Sequence, residues 1–253
     1  MDKLIFSPMA AMNEQALIRQ GLVNELANVS TIGFKRSFDS ALQSVKAVGD
    51  GFDSRHQAQL LVKDIVDMNP GTVMATGRDL DIAMGGATVM GVQSFDGELA
   101  FTRRGDLRVN VNGALETGVG HVVLGANGPI TIPPGSGVRI DKTGGVFALD
   151  ATQPGVPVEQ FIDQILLRDA SAQSLSRRED GLYKPTDLPN GSDFANGTEV
   201  PVVTSQMLEG SNVSPITAMT KLIDHARTFE AQLKIIKETK DLDGSGASMM
   251  KQS

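Results

Sequence analysis

Between Val213 and Lys240, the residues Met219, Leu222, Ala226, Phe229, Leu233 and Ile236 follow one another at alternating spacings of three and four. On a helix of 3.6 residues per turn this rhythm draws a narrow apolar seam along one side, as in a coiled coil. At 1.5 Å per residue the helix runs about 40 Å, more than a small domain needs to cover its own core. The seam therefore needs a partner. An ordinary amphipathic helix packed on its own domain accounts for an isolated case, since few heptads are present. The other end of the chain supplies a counterpart: Ser7-Pro8 reads as an N-cap and N1 pair, and Met9, Met12, Ala16, Val23 and Leu26 repeat the same spacing, with Arg19 standing where an apolar residue is due. Two narrow seams, one at each end, are the pattern expected of termini that pair with each other or with neighbouring subunits.

The sequence between these helices changes character. Residues 37–75 form a connecting stretch: Leu42, Val45 and Val48 hint at a continuing helix, Gly49-Asp50-Gly51 breaks it, residues 59–66 read as a strand or extended segment, and Asn69-Pro70-Gly71 as a turn. From about Thr72 to Ser205, short apolar segments alternate with Gly, Pro and Asn, the signature of an all-β domain. Strands are expected at Leu80–Met84, Val89–Gln93, Ala100–Thr102, Val109–Asn112, Val122–Leu124, Val138–Ile140, Val146–Leu149 and Ile165–Arg168. Asn112-Gly113 and Asn127-Gly128 mark hairpin turns, Pro133-Pro134-Gly135 and residues 141–145 divide further segments, and Gln160–Gln164 reads as a short turn or helix. A chain with 27 glycines and only 4% aromatics favours turn-rich β structure over a dense aromatic core. The expected fold is a mainly β central domain with N- and C-terminal α-helices forming a coiled-coil assembly module. Its parts are an N-terminal helix and motif (1–36), an arm or linker (37–75), a β domain (76–205), a C-terminal helix (206–240) and a flexible tail (241–253).

Several motifs are more specific. Residues 24–35, Asn-Glu-Leu-Ala-Asn-Val-Ser-Thr-Ile-Gly-Phe-Lys, resemble the N-terminal motif of the bacterial flagellar rod and hook family, Asn-Asn-Leu-Ala-Asn-Val-Asn-Thr-Thr-Gly-Phe-Lys, and depart from it at Glu25, Ser30 and Ile32. Independently, residues 208–213, Leu-Glu-Gly-Ser-Asn-Val, and residues 227–232, Arg-Thr-Phe-Glu-Ala-Gln, resemble the family's C-terminal pattern. In the β domain, residues 76–86 resemble Thr-Gly-Asn-x-Leu-Asp-x-Ala-Ile-x-Gly, and residues 101–107 resemble Tyr-Thr-Arg-x-Gly-x-Phe. There the usual aromatic pair is replaced around Thr88-Val89, and Leu107 stands for Phe. The resemblance spans nearly the whole chain.

It implies a structural subunit of the flagellar rod, polymerising through its terminal helices with itself and other rod proteins. The expected assembly residues are Met9, Met12, Ala16, Val23, Leu26, Asn28, Gly33, Phe34, Asn212, Val213, Met219, Leu222, Ala226, Phe229, Leu233 and Ile236. It further implies export by the flagellar type III apparatus and a place in the basal-body rod that crosses the periplasm and transmits motor torque. Only Leu4-Ile5-Phe6 precedes Ser7-Pro8, too short an apolar stretch for a cleaved signal peptide, so export without cleavage is expected.

An enzyme is the competing class, a secreted β-domain hydrolase or binding protein. His56, His121 and His225 fall in three different regions, with no second ligand at metal-binding spacing. Asp79 and Asp81 would share a strand face as paired carboxylates, but Arg78, Arg103 and Arg104 make structural ion pairs the better expectation. Gly118-Val119-Gly120 is a turn and no phosphate loop, and Gly135-Ser136-Gly137 lacks nucleophile-elbow spacing. Asp241-Leu242-Asp243-Gly244-Ser245-Gly246 matches half of a calcium loop, yet the twelfth position is Gln252. No catalytic residue, cofactor or metal is expected. Without Cys there is no disulfide and no thiolate nucleophile. A net charge of -7 argues against nucleic acid or an anionic membrane surface as partner, and no apolar run approaches the ~18 residues of a membrane span.

Overall fold

The structure, a computed structural model, describes residues 16–37, 39–46, 56–63, 65–150 and 158–251. It is mainly β, with a short helix near the N-terminus and a long one at the C-terminus. The chain divides into two units, one taking in both helices and the first hairpin, the other built from residues 28–37 and 64–213.

In the first unit, helix α1 covers 16–27 and strands β1 (Asp39–Lys46) and β2 (His56–Lys63) pair antiparallel from Asp39 opposite Lys63 to Lys46 opposite His56. The helical rhythm of Leu42 and Val45 is therefore overridden: their backbone is bonded across a hairpin instead, while Val48 and the Gly49-Asp50-Gly51 break lie outside the described residues. Helix α2 runs from Pro215 to Lys251. Ser214 caps it, its Oγ accepting from the Thr217 N–H at 3.4 Å, and Pro215 sits at N1, where a missing N–H is harmless. The helix does not stop at Lys240. Gly244 and Gly246 each disfavour it by about 1 kcal/mol, but extending an established helix adds one bond per residue fixed, and Ala247, Met249, Met250 and Lys251 are good helix formers.

The second unit is organised on a nine-stranded antiparallel sheet. Its centre is β5 (Thr88–Gln93) paired with β6 (Leu99–Thr102), with β9 (Val122–Gly125) on the other side of β5. Both faces of this centre are covered, so β5 reads Thr-Val-Met-Gly-Val without alternation and is buried throughout those residues. Met90, Val92 and Ala100 enter one core with Ile82, Leu107, Leu115, Val123, Ile140 and Val203. Val89 and Phe101 enter a second with Val66, Leu175, Tyr183 and Phe194. Leu107 and Val89, at or near positions where the family places aromatics, are fully buried. The Asn112-Gly113 turn holds as expected: Gly113 lies at φ 81° between β7 (Leu107–Val109) and β8 (Leu115–Thr117), closed by its N–H to Asn110 O. The second turn falls one residue early, at Ala126-Asn127, because Gly128 already pairs with Gly125 as the start of β10 (Gly128–Pro129).

Two expectations are corrected. Residues 160–164 are neither turn nor helix but part of β13 (Val158–Gln164), which pairs with β12 (Gly145–Asp150) beside β11 (Gly137–Ile140). Sheet pairing outweighs the helical preference of Glu159, Gln160 and Gln164. Asp79 and Asp81 do not share a strand face. Asp79 lies exposed in a turn closed by the Asp81 N–H to Arg78 O, and Asp81 is buried just before β4 (Ile82–Met84).

The second unit is completed by two narrow ribbons. β4 pairs with β17 (Val203–Ser205), and β3 (Val73–Ala75) pairs with β18 (Met207–Glu209). Gln206, between β17 and β18, adopts φ 62° and offers its carbonyl to the N–H groups of Thr76 and Gly77 at 2.9 and 3.2 Å. That kink lets one chain segment serve both ribbons and delivers Glu209 to the interior.

Candidate functional site: a buried clasp and the face of the last helix

A closed polar arrangement in the second unit gathers Lys35 from the N-terminal motif, Arg103 from the Thr-Arg-x-Gly motif and Glu209 from the C-terminal motif. All three are at most 2% exposed. Lys35 Nζ donates to Glu209 Oε1 at 2.7 Å and to Asn69 O at 2.6 Å. Arg103 places Nε and Nη2 on Glu209 Oε2 at 2.8 and 2.6 Å. Its remaining donors reach the carbonyls of Gly86 (2.7 Å), Thr88 (3.0 Å) and Met84 (2.6 Å), so every guanidinium N–H is satisfied. Glu209 Oε1 also accepts from the Gly71 N–H at 2.8 Å. Two cations and one anion leave a positive excess, which the ring of carbonyl dipoles disperses.

Burial works against ionising Glu209, but the Arg103 charge and the hydrogen bonds from Lys35 and Gly71 outweigh it and hold the carboxyl below its ordinary range. Burial and the Arg103 charge act together on Lys35 and bring its ammonium below its ordinary value despite Glu209.

Around this centre the two motifs are bonded main chain to main chain. Gly33 N–H donates to Glu209 O at 2.8 Å and Asn212 N–H to Phe34 O at 3.2 Å. The Asn212 side chain accepts from the Arg36 N–H at 2.8 Å and donates to Asp67 O at 2.9 Å. Arg177 lies over the Phe34 ring at 4.2 Å and donates to Lys35 O, while the Tyr183 hydroxyl donates to Gly33 O at 3.3 Å. Gly33 must be glycine: φ is 68°, and a Cβ would run into the Arg103 main chain. Nothing in this closed centre pairs a nucleophile with a base, and its chemistry is that of a clasp.

Helix α2 is a different kind of surface. Ala218 is buried, and Leu222, His225, Phe229, Gln232, Ile236 and Thr239 are half-buried, a line at spacings of three and four. Beside it Ile216 (77%), Met219 (52%) and Ile223 (55%) are exposed.

Of the residues expected to mediate assembly, Met9 and Met12 lie outside the described residues. Ala16, Val23, Met219, Ala226 and Leu233 are exposed, and Leu26, Leu222, Phe229 and Ile236 are half-buried. Asn28 accepts from the Thr31 hydroxyl at 3.1 Å, Val213 is buried, and Gly33, Phe34 and Asn212 are spent in the clasp within one chain. The structure thus brings the two motifs together and leaves much of the helical seam open. Sequence reasoning missed Lys35, Arg103, Glu209 and Gly71 as a set. Arg103 pairs with Glu209 and not with Asp79 or Asp81, while Arg78 takes Asp81 at 3.1 Å and Arg104 takes Asp106 at 2.6 Å. Each of the three motifs holds a charged residue of this set, but Glu25, Arg104 and Asp106 stand in the same motifs, so residue type alone does not single the set out.

Among the described residues, no three His, Cys, Asp or Glu side chains converge as metal ligands, and no helix is long and apolar enough to cross a membrane. An open depression of about 410 Å³ is lined by Arg168, Asp193, Phe194, Ala195 and Asn196, with the Arg168–Asp193 ion pair closed at 2.6 Å.

A mainly β unit whose N- and C-terminal motifs interlock, continued by helices at both ends of the sequence, defines a class with recognisable members. The family described as "Flagellar basal body rod FlgEFG protein C-terminal" matches residues 204–249, and "Flagellar hook protein FlgE/F/G D1 domain" matches residues 83–148. The chain belongs to this flagellar rod and hook family. Within it, the flagellar basal-body rod protein FlgF of Salmonella typhimurium is 33% identical over the full length of both chains, and that of Escherichia coli 31% over the same span. The rod protein FlgG of Bacillus subtilis is 29% identical over 87% of this chain and 88% of its own.

Proposed function

We propose that the protein is a structural subunit of the proximal part of the flagellar basal-body rod, polymerising through its terminal helices and transmitting motor torque across the periplasm. End-to-end similarity to proteins named FlgF supports the position in the rod. The observation that carries polymerisation is the exposed apolar line of Ile216, Met219 and Ile223 along α2. A lone helix gains little from such a line in water, whereas neighbouring helices packed as in a coiled coil would bury it and resist torsion, because twisting must shear many packed side chains at once. Partners on this reading are copies of itself, other rod proteins and the flagellar type III export apparatus, with no catalysis, cofactor, nucleic acid or inserted membrane segment.

The test substitutes Met219→Asp or Ile223→Asp, both on the exposed line. The β unit should stay folded, by an unchanged thermal transition, while incorporation into basal bodies and swimming are lost. Normal swimming in both variants would sink the reading. The FlgG similarity favours the distal rod as second choice. Deleting the gene in its own host and imaging basal bodies separates the two: a rod truncated near its base marks a proximal subunit, and a nearly complete one a distal subunit.

A further inference from the structure

We propose that Glu209 and Asn212 are positioning residues for assembly, and that the N-terminal motif around Gly33, Phe34 and Lys35 closes an intrachain clasp instead of meeting a neighbouring subunit. The inference rests on the rod-subunit reading above and assigns its N-terminal motif a different task.

Residues 28–37 are the stretch by which the chain leaves α1, and residues 210–214 the stretch by which it enters α2. Within the second unit these two stretches are bonded to each other. Gly33 N–H meets Glu209 O, Asn212 N–H meets Phe34 O, and Arg36 N–H meets the Asn212 side chain. Both are then tied to a third segment, through Asn69 O to Lys35, Gly71 N–H to Glu209, and Asp67 O to Asn212.

The polar groups of this set are used up inside one chain. Glu209 takes Lys35, Arg103 and Gly71, and at 2% exposure it offers nothing to an outside partner. A contact between subunits centres on exposed anchors that fill pockets. Here the anchors are filled already, and the close approach of Gly33 to the Arg103 main chain leaves no space for an inserted side chain.

The clasp does set the separation of the two crossings. With it closed, positions 33–36 and 209–212 form one wall of the second unit, and both terminal segments start from fixed points. With it open, each start is free over several residues, and the ordering entropy must be supplied at assembly.

The experiment uses the full-length chain and basal bodies from its host. Glu209→Gln keeps the side-chain shape and removes the charge, while Asn212→Ala opens the second set of bonds and touches no buried charge. Leu115→Ala, a core substitution in β8 away from the clasp, reports the effect of lost stability alone. Hydrogen exchange read by mass spectrometry should rise at least about tenfold in 28–37 and 209–213 for the two clasp variants, with β5 and β6 still protected. Their incorporation into basal bodies, in competition with wild type, should fall by about tenfold, whereas Leu115→Ala incorporates normally at a temperature where it is folded. Wild-type incorporation of Asn212→Ala despite fast exchange at 28–37 overturns the proposal. So does unchanged exchange in that variant, and Asn212→Ala decides alone if Glu209→Gln fails to fold. Absence of the wild-type chain from basal bodies instead defeats the rod reading itself.

Discussion

Glu209 shows how much one side chain holds when it answers two buried cations. Removing one partner of a buried ion pair leaves an uncompensated charge and costs about 3–5 kcal/mol, whereas an exposed pair such as Arg139–Glu159, at 2.5 Å, is screened by water and contributes little. Glu209→Ala should therefore lower the urea midpoint by several times the shift of Glu159→Ala, and equal shifts would refute the clasp as described. Gln206 offers a gain in the other direction. It is the one described non-glycine residue at positive φ, and Gln206→Gly should stabilise the chain by about 0.5–1 kcal/mol in the same assay, less whatever its exposed bond to Asp79 contributes. Neither feature is legible in the sequence. Lys, Arg and Glu are mostly solvent-exposed in proteins, so their types in a motif give no hint of burial, and a strained φ at Gln206 follows from serving two ribbons at once.

At the scale of elements, legibility depended on length and on local chemistry. The helix of α2 and the Asn112-Gly113 turn are local signals, and both lie where they should. The three-residue strands at Val73–Ala75, Leu115–Thr117, Val203–Ser205 and Met207–Glu209 are too short for any period to show, and each exists because a partner strand was available. The same holds for β1, where pairing with β2 replaced a helical rhythm. The end of α2 was missed because glycine is a weak stop once a helix is established. Ser214→Ala should cost α2 about 1 kcal/mol at its start, measured as reduced helical circular dichroism with an unchanged β signal.

For the whole molecule, acid is the informative stress. Glu209 in the folded chain lies below its ordinary value, and Asp169 and Asp141 do likewise, since hydrogen bonds to each outweigh the opposing effect of burial. Between the folded and unfolded values the unfolded chain binds more protons. The stabilisation is thus fully present above the unfolded carboxylate pKa of about 4.3, and is lost as pH falls through the lower folded values. The thermal midpoint should drop steeply below about pH 4, and Glu209→Gln should flatten that slope; parallel curves would exclude Glu209 as a contributor. The partition of the molecule was only half visible beforehand. Helical ends and a β middle follow from periodicity, but that residues 28–37 join the β unit depends on partners more than a hundred positions away, which no local pattern encodes.

That distance governs timing. Lys35 and Glu209 are separated by 174 positions, and Arg36 and Asn212 by 176, whereas the hairpins of the central sheet close over a few residues. Contacts of such long range are entropically the last to form, so the barrier to folding should be crossed with the sheet largely assembled and the two motifs still apart. In stopped-flow measurements Asn212→Ala should accelerate unfolding and leave the refolding rate nearly untouched. During synthesis the same order applies: a sheet already in place would wait, with the bonds of residues 33–36 to Glu209 and Asn212 unmade, until residues 209–212 arrive to lock them.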